Sequence, residues 1–146
     1  IKRLIGMPGD EIQFVKGDLY INGNKVKRKL TKILEPIRCG DFLLETNTFI
    51  ETLPNGTEYQ TSYNKKGTLQ NTEKYKVPKD HYFLMGDNRD CSKDSRFLNE
   101  VGYVNQLNLV GKAKIIFFSN DTKKSSLFKF WNLKRSFRIE RTFSAL

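Results

Sequence analysis

Two stretches of this 146-residue sequence hold residue types that could work together as an acid–base centre. One is Lys2; the other is the polar run Gly86-Asp87-Asn88-Arg89-Asp90-Cys91-Ser92-Lys93-Asp94-Ser95-Arg96. A neutral lysine amine can take the proton of a serine hydroxyl and so do the work of a histidine base. Free lysine titrates near 10.4, so roughly one amine in 10³ is neutral at pH 7. Efficient base catalysis therefore needs the charged form disfavoured by roughly three pH units, about 4 kcal/mol. Apolar burial supplies such a shift, and Lys2 stands between Ile1 and Leu4-Ile5 in what reads as a core strand. A lone lysine on a strand is ordinarily a solvated one, so Lys2 by itself says little. The polar run says more. It concentrates three Asp, two Arg and two Ser in a short span, a density that suits a mutually satisfied ion and hydrogen-bond network better than an exposed turn.

Other chemistries are excluded by what the sequence lacks. His81 is the only histidine, and its place at the start of an apolar strand fits a structural or surface role. A Ser-His-Asp or Cys-His centre would have to use it, and a zinc site built on several histidines is impossible. No phosphate-binding Gly-rich motif of the Walker A or Gly-x-Gly-x-x-Gly kind occurs. Read from Asp90, the polar run resembles a calcium loop, but Ser95 stands where Gly is needed and Val101 where a bidentate Glu belongs. No metal or other cofactor is expected.

These residues need elements to position them, and the pattern predicts strands. Apolar residues fall in short runs with β-branched and aromatic neighbours, as at 19–21, 82–85 and 115–118, flanked by Gly, Asn and Pro. Residues 1–5 read as a strand entering the turn Gly6-Met7-Pro8-Gly9-Asp10, where Pro8 and Gly9 suit the centre of a type II turn. Ile12 and Phe14 alternate with polar neighbours, Gly17-Asp18 turns the chain, and Asn22-Gly23 closes a hairpin of the type I′ kind. Residues 31–76 are less regular and read as an irregular hairpin insertion or subdomain. Within them, 45–53 and 57–63 flank the turn Pro54-Asn55-Gly56, and 64–76 reads as an exposed loop. Strands are expected at 81–85, 101–104 and 110–118. The expected architecture is one mainly β domain over 1–146, built of antiparallel sheets and hairpins.

The net charge is +10, which nucleic acid, an anionic membrane surface or an acidic substrate could each explain. The tail 127–146 mixes Phe128, Phe130, Trp131, Phe137, Ile139 and Phe143 with Lys and Arg. It suits either a membrane-surface anchor or a closing strand with a basic turn. No stretch approaches the roughly 20 apolar residues of a membrane span, and the sequence opens on Ile1 without a signal sequence. It therefore reads as a piece of something longer. Cys39 and Cys91 are too few for a disulfide scaffold or zinc site. Neither lies in a motif that demands a partner, so unpaired thiols are expected.

Two matches carry a family resemblance. Lys2-Arg3-Leu4-Ile5-Gly6-Met7-Pro8-Gly9-Asp10 resembles the type I signal peptidase motif K-R-[VIA]-[IV]-G-[LM]-P-G-D, and residues 86–96 resemble the same family's G-D-N-R-D-N-S-x-D-S-R. The order of the two agrees, and the hairpin Tyr20-Ile21-Asn22-Gly23 and the stretch Leu109-Val110-Gly111-Lys112-Ala113 also match. The segment Glu51-Thr52-Leu53-Pro54-Asn55-Gly56 is similar to proteobacterial members. The resemblance implies a signal-peptidase-like β-fold and a membrane-anchored serine endopeptidase with a Ser/Lys dyad. Such an enzyme removes Ala-x-Ala-type signal peptides from exported preproteins at the outer, periplasmic face of the bacterial cytoplasmic membrane.

By motif position, the resemblance makes Lys2 the general base and Ser92 the residue that orients it. Asp94 with Arg96, and Asp87 with Arg3, would be supporting salt bridges, and Ile1 would line the pocket for a small substrate residue. Cys91 replaces the usual Asn, an exchange expected to be tolerated. The family's nucleophile lies in an S-G-S-M-x-P-T-type motif upstream of the lysine; none of the serines in this sequence matches it, and no upstream anchor is present. The chain is thus expected to be N-terminally incomplete, inactive alone, and left with an open sheet edge. An anionic membrane surface is an expected partner and a specific nucleic acid is not. The alternatives are an SOS-type repressor autoprotease, which lacks the 86–96 loop, and a non-catalytic basic β module that binds anionic membrane or nucleic acid.

Overall fold

A computed structural model describes residues 1–64 and 70–117. The chain divides into two compact units, Ile1–Leu109 and Val110–Leu146, and all the named elements lie in the first. They are β1 (Arg3–Gly6), β2 (Glu11–Val15), β3 (Asp18–Ile21), β4 (Asn24–Lys25), β5 (Lys27–Cys39), β6 (Phe42–Thr52), β7 (Glu58–Tyr63), β8 (Tyr75–Lys76), β9 (His81–Met85), β10 (Val104–Asn105) and a 3-10 turn, Gln106–Asn108. The expected mainly β architecture is what the structure has. Three sheets form among the described residues, ordered β1-β9-β10, β4-β3-β2-β8 and β5-β6-β7. Among those residues no helix is long and apolar enough to cross a membrane.

The opening meander follows from turn chemistry and alternation. Gly9 takes φ 90°, and the Asp10 N–H closes the turn on the Met7 carbonyl at 3.0 Å. Lys16-Gly17 and Asn22-Gly23 all have positive φ, the backbone of tight hairpin turns that match strand twist. The resulting register sets Ile12 opposite Ile21 and Phe14 opposite Leu19. All four are buried, and with Ile5, Val26, Tyr59, Tyr75, Val77, Phe83 and Met85 they form the core.

Residues 70–74 are irregular and mostly exposed, as their polarity suggests, but they are tied along β2 and lead into the strand Tyr75–Lys76; residues 65–69 of the expected loop lie outside the described residues. The Gly17 N–H donates to the Gln70 carbonyl, Thr72 exchanges bonds with the backbone of Phe14, and Ile12 pairs with the buried Tyr75. A polar segment can line a strand when its backbone and hydroxyls complete that strand's hydrogen bonds. The length of β5 is also unexpected. Most of its residues are exposed, so no core periodicity announces it. Its edge position tolerates Pro36 and two register shifts, with Leu34 at φ 51°.

Two strand expectations are corrected near the end of the described chain. Residues 97–102 coil instead into a turn in which the N–H groups of Glu100, Val101 and Gly102 all point to the Phe97 carbonyl. Gly102 takes φ 59°, and a Cβ there would come within 3.0 Å of the Leu98 carbonyl oxygen, so only 104–105 is left to pair with β9. Residues 110–117 hold no strand beyond a single bridge position at Ile115, and Val110 is wholly exposed. Residue 118 and the aromatic-basic tail 127–146 lie outside the described residues.

The cysteines also depart from expectation: Cys39 and Cys91 form a disulfide. Cys39 ends β5 at the β5–β6 turn, and its Cα lies 5.3 Å from that of Cys91, inside the span a disulfide can bridge. The cross-link closes a separation of 52 residues. Cys39→Ser, or reduction, is expected to lower the unfolding free energy by about 2–4 kcal/mol, read as a fall in urea midpoint with a steeper slope as the unlinked denatured chain expands. An unchanged midpoint would show that the link does not constrain the chain.

Candidate active site

The pairing of β1 with β9 brings the chemistry together. Arg3 lies opposite Met85 and Leu4 opposite Leu84, so Lys2 falls beside Gly86, the first residue of the polar loop. Lys2 Nζ donates a hydrogen bond to Ser92 Oγ. Gly86 makes this approach possible, because a Cβ there would overlap the Ser92 side chain and lie 3.4 Å from Lys2 Nζ. Next in the chain, Arg3 Nε and Nη2 bind Asp87 Oδ1 and Oδ2 at 2.7 and 2.8 Å, while the guanidinium stacks 4.1 Å from the Tyr59 ring centroid. The bond to Asp87 raises the Arg3 pKa, so the guanidinium stays charged.

The far end of the loop turns back onto β9. Ser95 both donates its N–H to the Leu84 carbonyl and accepts the Leu84 N–H at Oγ. Asp94 is fully buried and accepts from Gly86 N at 2.9 Å and from Arg96 Nε and Nη2 at 2.7 and 2.8 Å. Burial by itself would raise the Asp94 pKa; the Arg96 guanidinium and the Gly86 N–H more than offset it, and the carboxyl lies below its ordinary range. Arg96 also reaches the Arg89 carbonyl, and its own carbonyl accepts from the Tyr75 hydroxyl at 3.1 Å.

The middle of the loop holds a second buried charge pair, one that was not among the expected site residues. Arg89 and Glu51 are each about 1 % exposed and meet at 2.6 Å. The hydroxyls of Tyr59 and Tyr63 donate to Glu51 at 2.8 and 2.6 Å. Burial first, and Glu51 after it, push both phenols far up, against the opposing pull of Arg89, so they remain donors. Burial opposes the Arg89 charge, yet its partners hold it firmly protonated. The backbone is tied at the same place: Ser62 donates to the Asp87 carbonyl and accepts from Arg89 N. Asp90 accepts from the Asn64 N–H, and burial sets its carboxyl above the usual range.

One expectation fails at this site. Lys2 is exposed, not enclosed by apolar side chains. Ile1 is fully exposed and Leu4 and Met7 are 41 % and 51 % exposed, because β1 is the edge of its sheet and its outer side is uncovered. The structure thus sets Lys2, Ser92, Arg3, Asp87, Asp94 and Arg96 around one loop, while Ile1 is fully exposed.

The profile of the family described as "Signal peptidase, peptidase S26" matches residues 1–118. The chain belongs to this family. It is 39% identical over 131 residues to a signal peptidase I of Rickettsia bellii strain OSU 85-389, covering 82% of this chain and 42% of that protein. With a signal peptidase I of Rickettsia typhi it shares 42% identity over 127 residues, covering 82% of this chain and 46% of that one. The chain spans less than half the length of these curated relatives. A crystal structure of a signal peptidase I from Enterococcus faecalis V583 aligns with a TM-score of 0.39 and 25% identity, over 75% of this chain and 78% of that one.

Within this peptidase family member, Glu51 had a readable signal. It interrupts an alternation whose neighbours on the same face are Phe49 and Leu53, and it sits directly opposite Tyr59. A carboxylate on an aromatic face requires a cation, and Arg89 is that cation. Glu51→Ala leaves the Arg89 charge buried without its partner and is expected to cost about 3–5 kcal/mol, measured by urea unfolding; a loss under about 1 kcal/mol would mean that water reaches the pair. Asp94 makes stability pH-dependent. Its folded pKa is depressed, so its contribution is complete above the unfolded value of about 3.9 and is lost as pH falls through the folded value. Asp90, raised instead, acts with the opposite sign. Asp94→Asn is therefore expected to be less stable at pH 7 and to lose less further stability below about pH 4 than the parent; parallel curves would remove Asp94 from the acid limb.

Proposed function

We propose that this chain carries the general-base half of a serine endopeptidase of the signal peptidase I type, working through a Ser/Lys dyad. The observation that carries the reading is the hydrogen bond from Lys2 Nζ to Ser92 Oγ, held by the β1–β9 register and by a loop fixed through two buried ion pairs. A base must be aimed before it can act. Ser92 aims Lys2, and Asp94 with Arg96 fixes the backbone on which Ser92 sits.

In the proposed reaction the Lys2 amine takes the proton of a serine hydroxyl as that oxygen attacks the scissile carbonyl. It then gives a proton to the departing amine, and finally activates the water that frees the acyl-enzyme. No serine of the 146 residues occupies the family's nucleophile position, so residues 1–146 are proposed to need a serine-bearing segment, which would also bring oxyanion donors. The exposed apolar side chains of Ile1, Leu4 and Met7 would be covered by that segment and by bound substrate, drying the surroundings of Lys2. Ile1 would then border the position of a small substrate residue.

The substrates would be exported preproteins with Ala-x-Ala-type signal peptides, cleaved at the outer face of the bacterial cytoplasmic membrane. The disulfide supports that placement, since such bonds persist on the oxidising side, and the net charge of +10 suits an anionic lipid surface.

The test is to supply the serine-bearing segment of a relative and assay an Ala-x-Ala preprotein. Cleavage is expected only with the segment present. Lys2→Ala and Lys2→Arg are each expected to lower kcat/KM by about 10³ or more, because neither provides a neutral amine. An Ala variant that cleaves at the parent's rate would remove Lys2 from the chemistry.

A further inference from the structure

The loop 86–96 is held at its two ends by different means, and its middle is the part that matters for Ser92. The first half is tied to β7 by the backbone bonds of Ser62 with Asp87 and Arg89, and to β6 by Glu51. The last part is tied to β9 by Ser95 and closed by Asp94 and Arg96. Residues 91–93 lie between. Apart from the Lys2–Ser92 bond itself, two links reach them from outside the loop among the described residues. One is the ion pair of Lys93 with Glu100, whose side chains are 78 % and 48 % exposed. A pair so exposed positions little. The other is covalent: Cys91, the neighbour of Ser92, is bonded to Cys39.

We infer that the Cys39–Cys91 disulfide is a positioning element for Ser92, and through it for Lys2, so that the redox state of this one bond sets how well the base is aimed. The inference rests on the dyad reading above for its catalytic consequence, though not for its structural one. Cys39 is suited to anchor a tether. It is buried, ends β5, and is paired across the tight β5–β6 turn with Phe42, so the anchor point moves only with the sheet. Position 91 makes the same point from the other side: Asn stands there in the family's motif, and the cysteine of this chain forms a covalent link that Asn cannot.

Breaking the bond is a balanced exchange. A dithiol reductant gives up two electrons and two protons and becomes a cyclic disulfide, the Cys39–Cys91 sulfur–sulfur bond breaks, and each cysteine becomes a thiol. Cys91 is only partly buried, which leaves a small dithiol a route to the bond. Once it is cut, Ser92 keeps the contact of its carbonyl with Arg96 Nη2 at 3.4 Å and of its side chain with Asp94, but its neighbour Cys91 loses the tie to β5, and Ser92 Oγ is freer to leave Lys2. A displacement of about 1 Å can cost on the order of 10² in rate.

The 146-residue chain is compared oxidised and reduced with dithiothreitol by amide hydrogen exchange. Exchange at 90–93 is expected to rise about ten-fold or more on reduction while β9 changes less than about two-fold. With the serine-bearing segment supplied, reduction is expected to lower kcat about ten-fold with KM nearly unchanged, since Ser92 orients the base and does not hold the substrate. Reoxidation with oxidised glutathione should restore kcat, and Cys39→Ser should have the lower kcat and ignore the reductant. If reduction leaves exchange at 90–93 unchanged, or if 90–93 and β9 lose protection together, the positioning role is overturned and the bond only stabilises the whole unit. If cleavage is present and kcat does not respond, the link to the base is overturned. Loosening of 90–93 with no cleavage in either redox state would count against the dyad while supporting the tether.

Discussion

A single buried carboxylate organises the candidate site. Asp94 is inaccessible to solvent, and its two oxygens take hydrogen bonds from the Gly86 N–H and the Arg96 guanidinium. The first bond joins the root of the loop to its far end, so the residues between must arch outward and present Ser92 toward Lys2. The second brings in Arg96, which spans from the Arg89 carbonyl to a carbonyl bond from Tyr75. An ionised carboxylate away from water is costly unless its acceptor sites are filled. In Asp94 they are filled by groups that also have to be in one place, and the electrostatic requirement becomes a geometric one.

The same loop is the junction of all three sheets. Its roots lie in the β1-β9-β10 sheet through Gly86 and Ser95; it reaches the β4-β3-β2-β8 sheet through the Arg96–Tyr75 bond. It reaches the β5-β6-β7 sheet three times, by Ser62, by Glu51 and by the disulfide at Cys39. Arg28 makes a further joint away from the loop, pairing with Asp18 at 2.7 Å and stacking on Phe49 and Tyr63. The apolar core also reaches all three sheets, through Ile12, Phe14 and Leu19, through Phe83 and Met85, and through Tyr59, but contacts of that kind tolerate small slips. Directional bonds at the junction fix the register.

What the sequence made legible was whatever depends on near neighbours. The β2–β3–β4 meander follows from alternation and from Asn22-Gly23, and both can be read locally. β5 could not be read, because its exposed residues leave no period. Tyr75–Lys76 was hidden in polar surroundings, since its place is set by what β2 needs from a partner. The approach of Lys2 to Ser92 spans 90 positions and appears only through the order of two motifs, not from either alone. The disulfide depends on a hairpin end meeting a loop 52 residues away, which no spacing encodes. The misjudged burial of Lys2 has the same origin: whether an edge strand is covered depends on what lies across its open side.

That open side and the crowded loop are complementary. Every described charged side chain of residues 86–96 meets a partner within the fold, and two of the ion pairs are out of reach of solvent. Near Lys2 in the chain, Ile1, Leu4 and Met7 are all exposed. Buried polar networks of this kind add little net stability over apolar packing of the same volume, so stability is not what distinguishes this arrangement. What it provides is a hydroxyl, that of Ser92, held in one orientation toward Lys2. Preorganisation belongs on the side of the site that must not move. Apolar surface belongs on the side that has yet to be filled.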